Sequence, residues 1–107
     1  MHTLIIEGTL KPDKREDFLK TWRNEILPTL KKQNGFVEET LLFETDNPNR
    51  GVGLSFWKTR EDAEKYHRDV FPRLVSSVQN AMQAAPTVRK FDVESSETFR
   101  IAAGKAA

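Results

Sequence analysis

The chain has 107 residues, the size of one domain, and 37% of them are hydrophobic and 31% charged. Its 17 basic residues nearly cancel its 16 acidic ones, so its charge favours neither nucleic acid nor an acidic membrane surface as a partner. Cysteine is absent, which excludes disulfides, thiolate catalysis and cysteine-bound metal clusters.

The first part of the chain carries a strand signal followed by a helix signal. Residues 3–10 (TLIIEGTL) are rich in β-branched side chains and end at a Lys-Pro-Asp turn, so we expect a strand and then a helix capped by Asp13. Pro28 predicts a kink in that helix, and Asn34-Gly35 predicts its end. Apolar residues recur every fourth position along one face of this helix, at Phe18, Trp22, Ile26 and Leu30.

Two more strands should follow as a hairpin. Residues 36–45 (FVEETLLFET) and 52–57 (VGLSFW) have strand composition, and the polar residues 46–51 between them predict a turn. Thr59 then predicts the cap of a second helix, with Asp62 at its third position.

The second helix should carry an apolar face to the last strand. Ala63, Tyr66, His67 and Val70 share one side of it. Phe71-Pro72 should restart the helix, because proline fits a first helical turn. Pro86 should stop it, and residues 87–93 (TVRKFDV) predict a fourth strand.

The resulting order is β-α-β-β-α-β. It predicts an α+β, ferredoxin-like domain over residues 1–100, in which two helices cover one face of a four-stranded antiparallel sheet. Residues 101–107 (IAAGKAA) offer few anchoring groups, so we expect this tail to fray.

The strands are apolar on both faces. Leu41, Leu42 and Phe43 are consecutive, as are Ile5 and Ile6, so side chains of each run point to opposite sides of the sheet. The face without helices would expose a large apolar patch on a monomer. We therefore expect a homodimer through the sheet face.

No feature points to a membrane. No apolar run approaches the roughly 20 residues that a membrane-spanning helix needs. The amino-terminal MHTLIIEGTL lacks the basic start and long apolar stretch of a signal peptide. We expect a cytoplasmic protein with neither a membrane nor a nucleic acid as its partner.

GFVEETLLFE leading through a turn to SFWKTREDAEKYH resembles the antibiotic biosynthesis monooxygenase (ABM) family. The most telling residues are Gly35-Phe36-Val37 at the start of the second strand and Trp57 at the end of the third. The resemblance implies a dimeric α+β barrel. The family includes cofactor-free oxygenases that act on quinols and polycyclic phenols, heme-degrading enzymes, and many members without a known activity, so the resemblance implies one of these.

For the heme-degrading branch of the family, the resemblance implies a site with an Asn on the first strand, a Trp on the second helix and a His about ten residues after that Trp. Here those positions fall at or near Gly8, at Tyr66, and at Leu74 or Val75. All three depart from the pattern, so we expect no heme and no other cofactor. The two histidines lack a metal-ligand spacing, so no metal is expected either.

The candidate site residues follow from the cofactor-free chemistry. His67 is the expected catalytic base, because an imidazole accepts a proton near neutral pH. Tyr66 is the second catalytic candidate, as a hydrogen-bond donor to a substrate oxygen. Trp57, Trp22 and Phe56 are expected to bind the substrate as an aromatic slot. Each of these side chains also suits a purely structural role in the core.

Two functions therefore stay open. The first is a cofactor-independent monooxygenase of the ABM type that acts on a small aromatic or quinol-like compound. The alternative is a non-catalytic dimeric module that binds a small apolar molecule in the same cavity.

Overall fold

The computed structural model describes residues 1–102. Four strands form one antiparallel sheet in the order β2-β3-β1-β4. The strands are β1 (His2–Thr9), β2 (Phe36–Glu44), β3 (Asn47–Trp57) and β4 (Thr87–Asp92). This arrangement confirms the predicted α+β, ferredoxin-like fold.

Both predicted helices form, and each is divided into segments. The first runs from α1 (Arg15–Thr21) through a π-helical turn (Trp22–Ile26) into α2 (Leu27–Lys31). The second comprises α3 (Arg60–Asp69) and α4 (Phe71–Val78), and a 3-10 turn (Gln79–Ala81) follows it. Among residues 1–102, no helix has the length and apolar character needed to cross a membrane.

The first helix accommodates Pro28 through its π-helical turn. Proline has no N–H to donate to a carbonyl one turn back. The Leu27 N–H donates to the carbonyl of Trp22, five residues earlier, so the helix is widened just before the proline. The predicted cap at Asp13 is wrong: Lys14 holds the capping position and makes no side-chain cap bond.

The hairpin is tighter than predicted. The polar loop expected over residues 46–51 is wrong, because β3 already begins at Asn47, which pairs with Glu44. The Arg50 backbone pairs with Thr9 of β1, so pairing with a third strand extends β3 into the turn-like sequence. Pro48 lies in the irregular part of the β2–β3 ladder, where its missing N–H breaks no regular pairing.

The corner between β3 and α3 forms as predicted. The Asp62 N–H donates to the Thr59 hydroxyl over 3.1 Å, which caps α3. Gly35 adopts φ +78°, the left-handed conformation expected after the first helix, and packs against the Asp62 side chain.

The helices cover one face of the sheet and leave the other open. Six buried residues form the core on the covered face: Leu4, Leu30, Trp57, Ala63, Tyr66 and Leu74. On the open face, Leu42 of β2 is 47% exposed and Phe91 of β4 is 41% exposed.

The segment after β4 lies against one end of the open face. The ring of Phe99 is 5.0 Å from that of Phe56, between centroids. Ile101, the first residue of the tail expected to fray, is buried and pairs with Ser96. Residues 103–107 of that tail lie outside the described part of the chain.

Candidate active site

A cavity of about 100 Å³ lies between the covered face of the sheet and the helices. Its walls are mostly aliphatic and aromatic. The strands and the loop before β4 contribute Ile6, Gly8, Leu10, Glu39, Leu41, Phe43, Gly51, Gly53, Ser55, Met82 and Pro86. The helices contribute Phe18, Trp22, Ile26, Leu30, Tyr66, Phe71, Leu74, Val75 and Val78.

Three glycines make room for this cavity in the floor of the sheet. Gly8 of β1 pairs with Gly51 of β3, and Gly53 follows two residues later on the same side. A methyl group at Gly8 would collide with the Met82 side chain, and one at Gly51 would lie 3.1 Å from the Phe43 ring. The space next to the floor therefore depends on the absence of side chains at these positions.

Glu39 supplies the carboxylate of the cavity wall. Its Oε2 lies 3.3 Å from the point where a Cβ on Gly53 would stand. Burial, with a smaller effect from the neighbouring negative charge of Glu38, raises the pKa of Glu39 to about 8. Near neutral pH this carboxyl therefore exchanges its proton readily, as a group with a pKa close to the ambient pH does.

Tyr66 of α3 lines the same cavity from the side of the helices. Burial and the charge of Glu39 raise the pKa of Tyr66 well above its usual range, so the phenol stays protonated and acts as a donor. Ser55 is the other hydroxyl, and its oxygen already accepts a 2.8 Å bond from the Trp57 indole N–H.

The arrangement of sheet, helices and cavity has known counterparts. The family model described as antibiotic biosynthesis monooxygenase matches residues 1–70. The chain belongs to the antibiotic biosynthesis monooxygenase family. No curated protein sequence matches it.

Solved structures of ABM proteins share the fold. A putative antibiotic biosynthesis monooxygenase from Nitrosomonas europaea is 22% identical over 87% of this chain and 98% of its own, with a TM-score of 0.74. SnoaB, a cofactor-independent oxygenase from Streptomyces nogalater, is 18% identical over 90% and 95%, with a TM-score of 0.70. A putative family member from Deinococcus radiodurans reaches 0.75 at 6% identity, over 90% and 95%.

The structure brings two of the five predicted site residues of this ABM protein to the cavity. Tyr66 and Trp22 line it, whereas His67, Trp57 and Phe56 are not among the lining residues. Trp57 lies underneath, fully buried, with its ring stacked 4.8 Å from that of Tyr66. It therefore supports the wall and is shielded from a ligand.

The other two residues point elsewhere. Phe56 is on the open face, because side chains alternate along β3 and its neighbour Ser55 lines the cavity. The His67 ring lies 5.1 Å from that of Phe71, at the edge of the core. Burial and the positive charge of Lys90 lower the pKa of His67. The predicted placement of His67 beside the pocket is wrong, because the core side of α3 is centred on Ala63 and Tyr66.

Sequence reasoning missed Glu39. The available signal was alternation: Glu39, Leu41 and Phe43 lie on one side of a predicted strand, and all three line the cavity. A carboxylate in register with two core residues is unusual enough to be read as a functional candidate.

The positions to which the resemblance assigns the heme-degrading pattern also meet at this cavity. Gly8, Tyr66, Leu74 and Val75 all line it, and none of them offers an imidazole to iron. Within residues 1–102, no cluster of three His, Cys, Asp or Glu side chains is placed to hold a metal ion.

Proposed function

We propose that this protein is a cofactor-independent monooxygenase that oxidises a small phenol or quinol in the cavity between the sheet and the helices. The observation that carries the proposal is the cavity itself: an apolar space whose lining includes a glutamate from the sheet and a tyrosine from the helices. SnoaB, with the same fold, is a cofactor-independent oxygenase. The volume of about 100 Å³ is below the roughly 300 Å³ typical of drug-sized ligands and favours a compound with one or two rings.

In this chemistry the substrate supplies the electrons. Loss of a proton gives an anion, one electron passes to O2, and the superoxide joins the substrate radical at a CH carbon as a peroxide. Protonation of the peroxide and cleavage of its O–O bond, with loss of the hydrogen on that carbon, leave a carbonyl and release water. One oxygen atom of O2 enters the product and the other forms the water, so no external reductant is consumed.

The residues that line the cavity suit these reaction steps. The Tyr66 hydroxyl, which stays protonated, donates a hydrogen bond to the substrate oxygen and stabilises the anion. Trp22 and Phe18 form the aromatic side of the cavity. Exclusion of water by these walls protects the radical pair from quenching.

We also propose that two copies pair through the open sheet face. Leu42 and Phe91 are the large apolar side chains most exposed there. Burial of such side chains stabilises an assembly by about 25 cal/mol for each Å² removed from water. The covered cavity lies on the opposite side of the sheet, so each copy has its own cavity.

The function is tested by oxygen uptake with hydroquinone, catechol and 1,4-naphthohydroquinone. Val75→Phe would fill the cavity from α4, whereas the adjacent Ser76 is exposed, so Ser76→Phe is the matched control. We expect the wild type and the control to oxidise at least one compound and Val75→Phe to lose the activity. Binding of these compounds without oxygen uptake would instead support the alternative, a non-catalytic ligand-binding module.

A further inference from the structure

We propose that the Glu39 carboxylate is the group that removes the hydroxyl proton of the substrate. The inference rests on the proposed function, because it assigns a residue to the first step of that reaction. His67, the base predicted from the sequence, does not line the cavity.

The position of Glu39 is the first argument. It lies on β2 opposite Ser55 of β3, between the aromatic helix residues and the glycine floor. Because Gly53 has no side chain, the Glu39 carboxyl group has space to lie above Gly53 on the covered face of the sheet. Glu39 is the one carboxylate among the described residues of the lining.

The charges around Glu39 are the second argument. Tyr66 on α3 is the other titratable group of the lining, and it remains a neutral donor. The lining residues of the first helix and of α4 carry no charge, and neither do those of β1 and β3. Glu38 adds a negative charge from the opposite face of β2. No cation in the lining therefore stabilises the ionised carboxylate, which makes it a stronger base than a solvated one.

The proposed step is a single proton transfer. The substrate O–H bond breaks, its proton bonds to a carboxylate oxygen of Glu39, and the electron pair stays on the substrate oxygen. The negative charge thus moves from the protein to the substrate, where the Tyr66 hydroxyl donates to it. The later peroxide takes a proton back from the Glu39 carboxyl, so the residue ends in its starting state.

The first experiment compares oxygen uptake of wild type, Glu39→Gln and Glu38→Gln across pH. Glu38 has the same side chain one position away and faces the other side of the sheet, so its variant keeps Glu39 in place. We expect Glu38→Gln to retain most of the rate, with a slightly lower midpoint, because the smaller contribution of the Glu38 charge to the pKa of Glu39 is lost. We expect the wild-type rate to rise with pH to a plateau, with a midpoint near the pKa of about 8. Glu39→Gln should lose roughly 10²- to 10⁴-fold below that midpoint, the usual contribution of a general base.

The variant should also recover at high pH. Once the phenol ionises in solution, no protein base is required, and the Glu39→Gln rate should approach that of the wild type. A residue with a purely structural role would lower the rate at every pH. An unchanged rate and pH profile in Glu39→Gln would overturn the proposal, and so would an equal loss at all pH values.

The second experiment measures binding without oxygen, through quenching of tryptophan fluorescence by 4-methylphenol and by its methyl ether, 4-methylanisole. Ionised Glu39 accepts a hydrogen bond from the phenol and none from the ether. In the wild type, phenol affinity should therefore rise several-fold between about pH 6.5 and 9, because charge-assisted hydrogen bonds are stronger than neutral ones. Ether affinity should stay constant, and Glu39→Gln should remove the pH dependence for the phenol.

These two experiments separate the two proposals. If no compound is oxidised and the phenol still shows its Glu39-dependent affinity, the oxygenase function is wrong and Glu39 stands as the group that accepts the hydrogen bond of the phenol hydroxyl. If compounds are oxidised and the affinities of phenol and ether respond alike to pH and to Glu39→Gln, the function stands and the role of Glu39 is overturned. If the compounds are neither oxidised nor distinguished, both proposals are overturned.

Discussion

The indole of Trp57 lies against the ring of Tyr66, with 4.8 Å between the ring centroids and 28° between the ring planes. Trp57 is fully buried and also donates its N–H to Ser55, whereas Tyr66 lines the cavity. Trp57 therefore packs against the side of Tyr66 that faces away from the cavity. Mutations at the two positions should have different effects, on stability at Trp57 and on activity at Tyr66.

Trp57→Ala should destabilise the fold. It removes a buried indole and leaves the Ser55 hydroxyl without its donor, so we expect a loss of about 3 to 5 kcal/mol in the free energy of unfolding. Urea denaturation followed by circular dichroism measures this. Lys58→Ala, at the exposed next position, should change the value by less than about 0.5 kcal/mol. A loss of similar size in both variants would contradict the supporting role of Trp57.

Tyr66→Phe should lower the rate and leave the fold intact. The ring still packs on Trp57, and only the hydroxyl that we propose as the donor to the substrate oxygen is lost. We expect a decrease of roughly 10² in kcat on an active phenol, at the lower end of what removal of one such donor costs. The same assay decides the role predicted for His67 from sequence: a His67→Ala variant with the full rate at every pH means that His67 is not the base.

Glu39 should make stability fall as pH rises. Its pKa is about 8 in the folded protein against 4.5 as the reference value, so the folded state binds the proton more tightly than the unfolded state. Each pH unit between these values costs up to about 1.4 kcal/mol of stability, and the loss ends above the folded pKa. Glu39→Gln should therefore gain roughly 2 to 4 kcal/mol over the wild type between pH 5 and pH 8.

Urea denaturation at several pH values tests this prediction without any substrate. Glu38→Gln is again the control, because it removes a neighbouring exposed carboxylate and keeps Glu39, whose shift comes mainly from burial. A stability difference between Glu39→Gln and the wild type that does not change with pH would show that Glu39 titrates normally.

Leu42→Asp should prevent dimer formation. Leu42 is 47% exposed on the open face, so the change spares the monomer and places a desolvated charge at the proposed interface. Sedimentation velocity at micromolar concentration should report the dimer mass for the wild type and the monomer mass for the variant. Leu41→Asp should instead lower the free energy of unfolding, because Leu41 faces the helices and its apolar side chain lines the cavity. A monomeric wild type would contradict the proposed pairing.

Local signals in the sequence were enough for the corners of the fold. The Thr59 cap and the left-handed Gly35 each depend on the residue itself and a few neighbours. The prediction of a loop in the hairpin was wrong because the strand character of this segment comes from pairing with β1, where Arg50 pairs with Thr9, 41 positions earlier in the chain. The turn-forming residues of this segment adopt strand conformation because they pair with a distant strand, and this pairing cannot be seen in the local sequence.

The site was harder to predict because it depends on which face of each element is covered. Alternation separates Leu41 from Leu42, but only the packing of the helices shows that Leu41 and Glu39 lie beneath them. The same limit applies to α3. The spacing places His67 on a shared stripe with Tyr66, and a small rotation of the helix decides which of the two reaches the cavity.

Substitutions at the glycines in the sheet floor would change the size and shape of the cavity. A methyl group at Gly8 would press on Met82, whose flexible end has freedom to move aside, so that change would trim the space at little cost to the backbone. A methyl group at Gly53 would press on the Glu39 carboxyl and shift its reach. Gly8 thus affects the volume of the cavity, and Gly53 affects the position of the carboxyl group in it. The two properties can be changed separately.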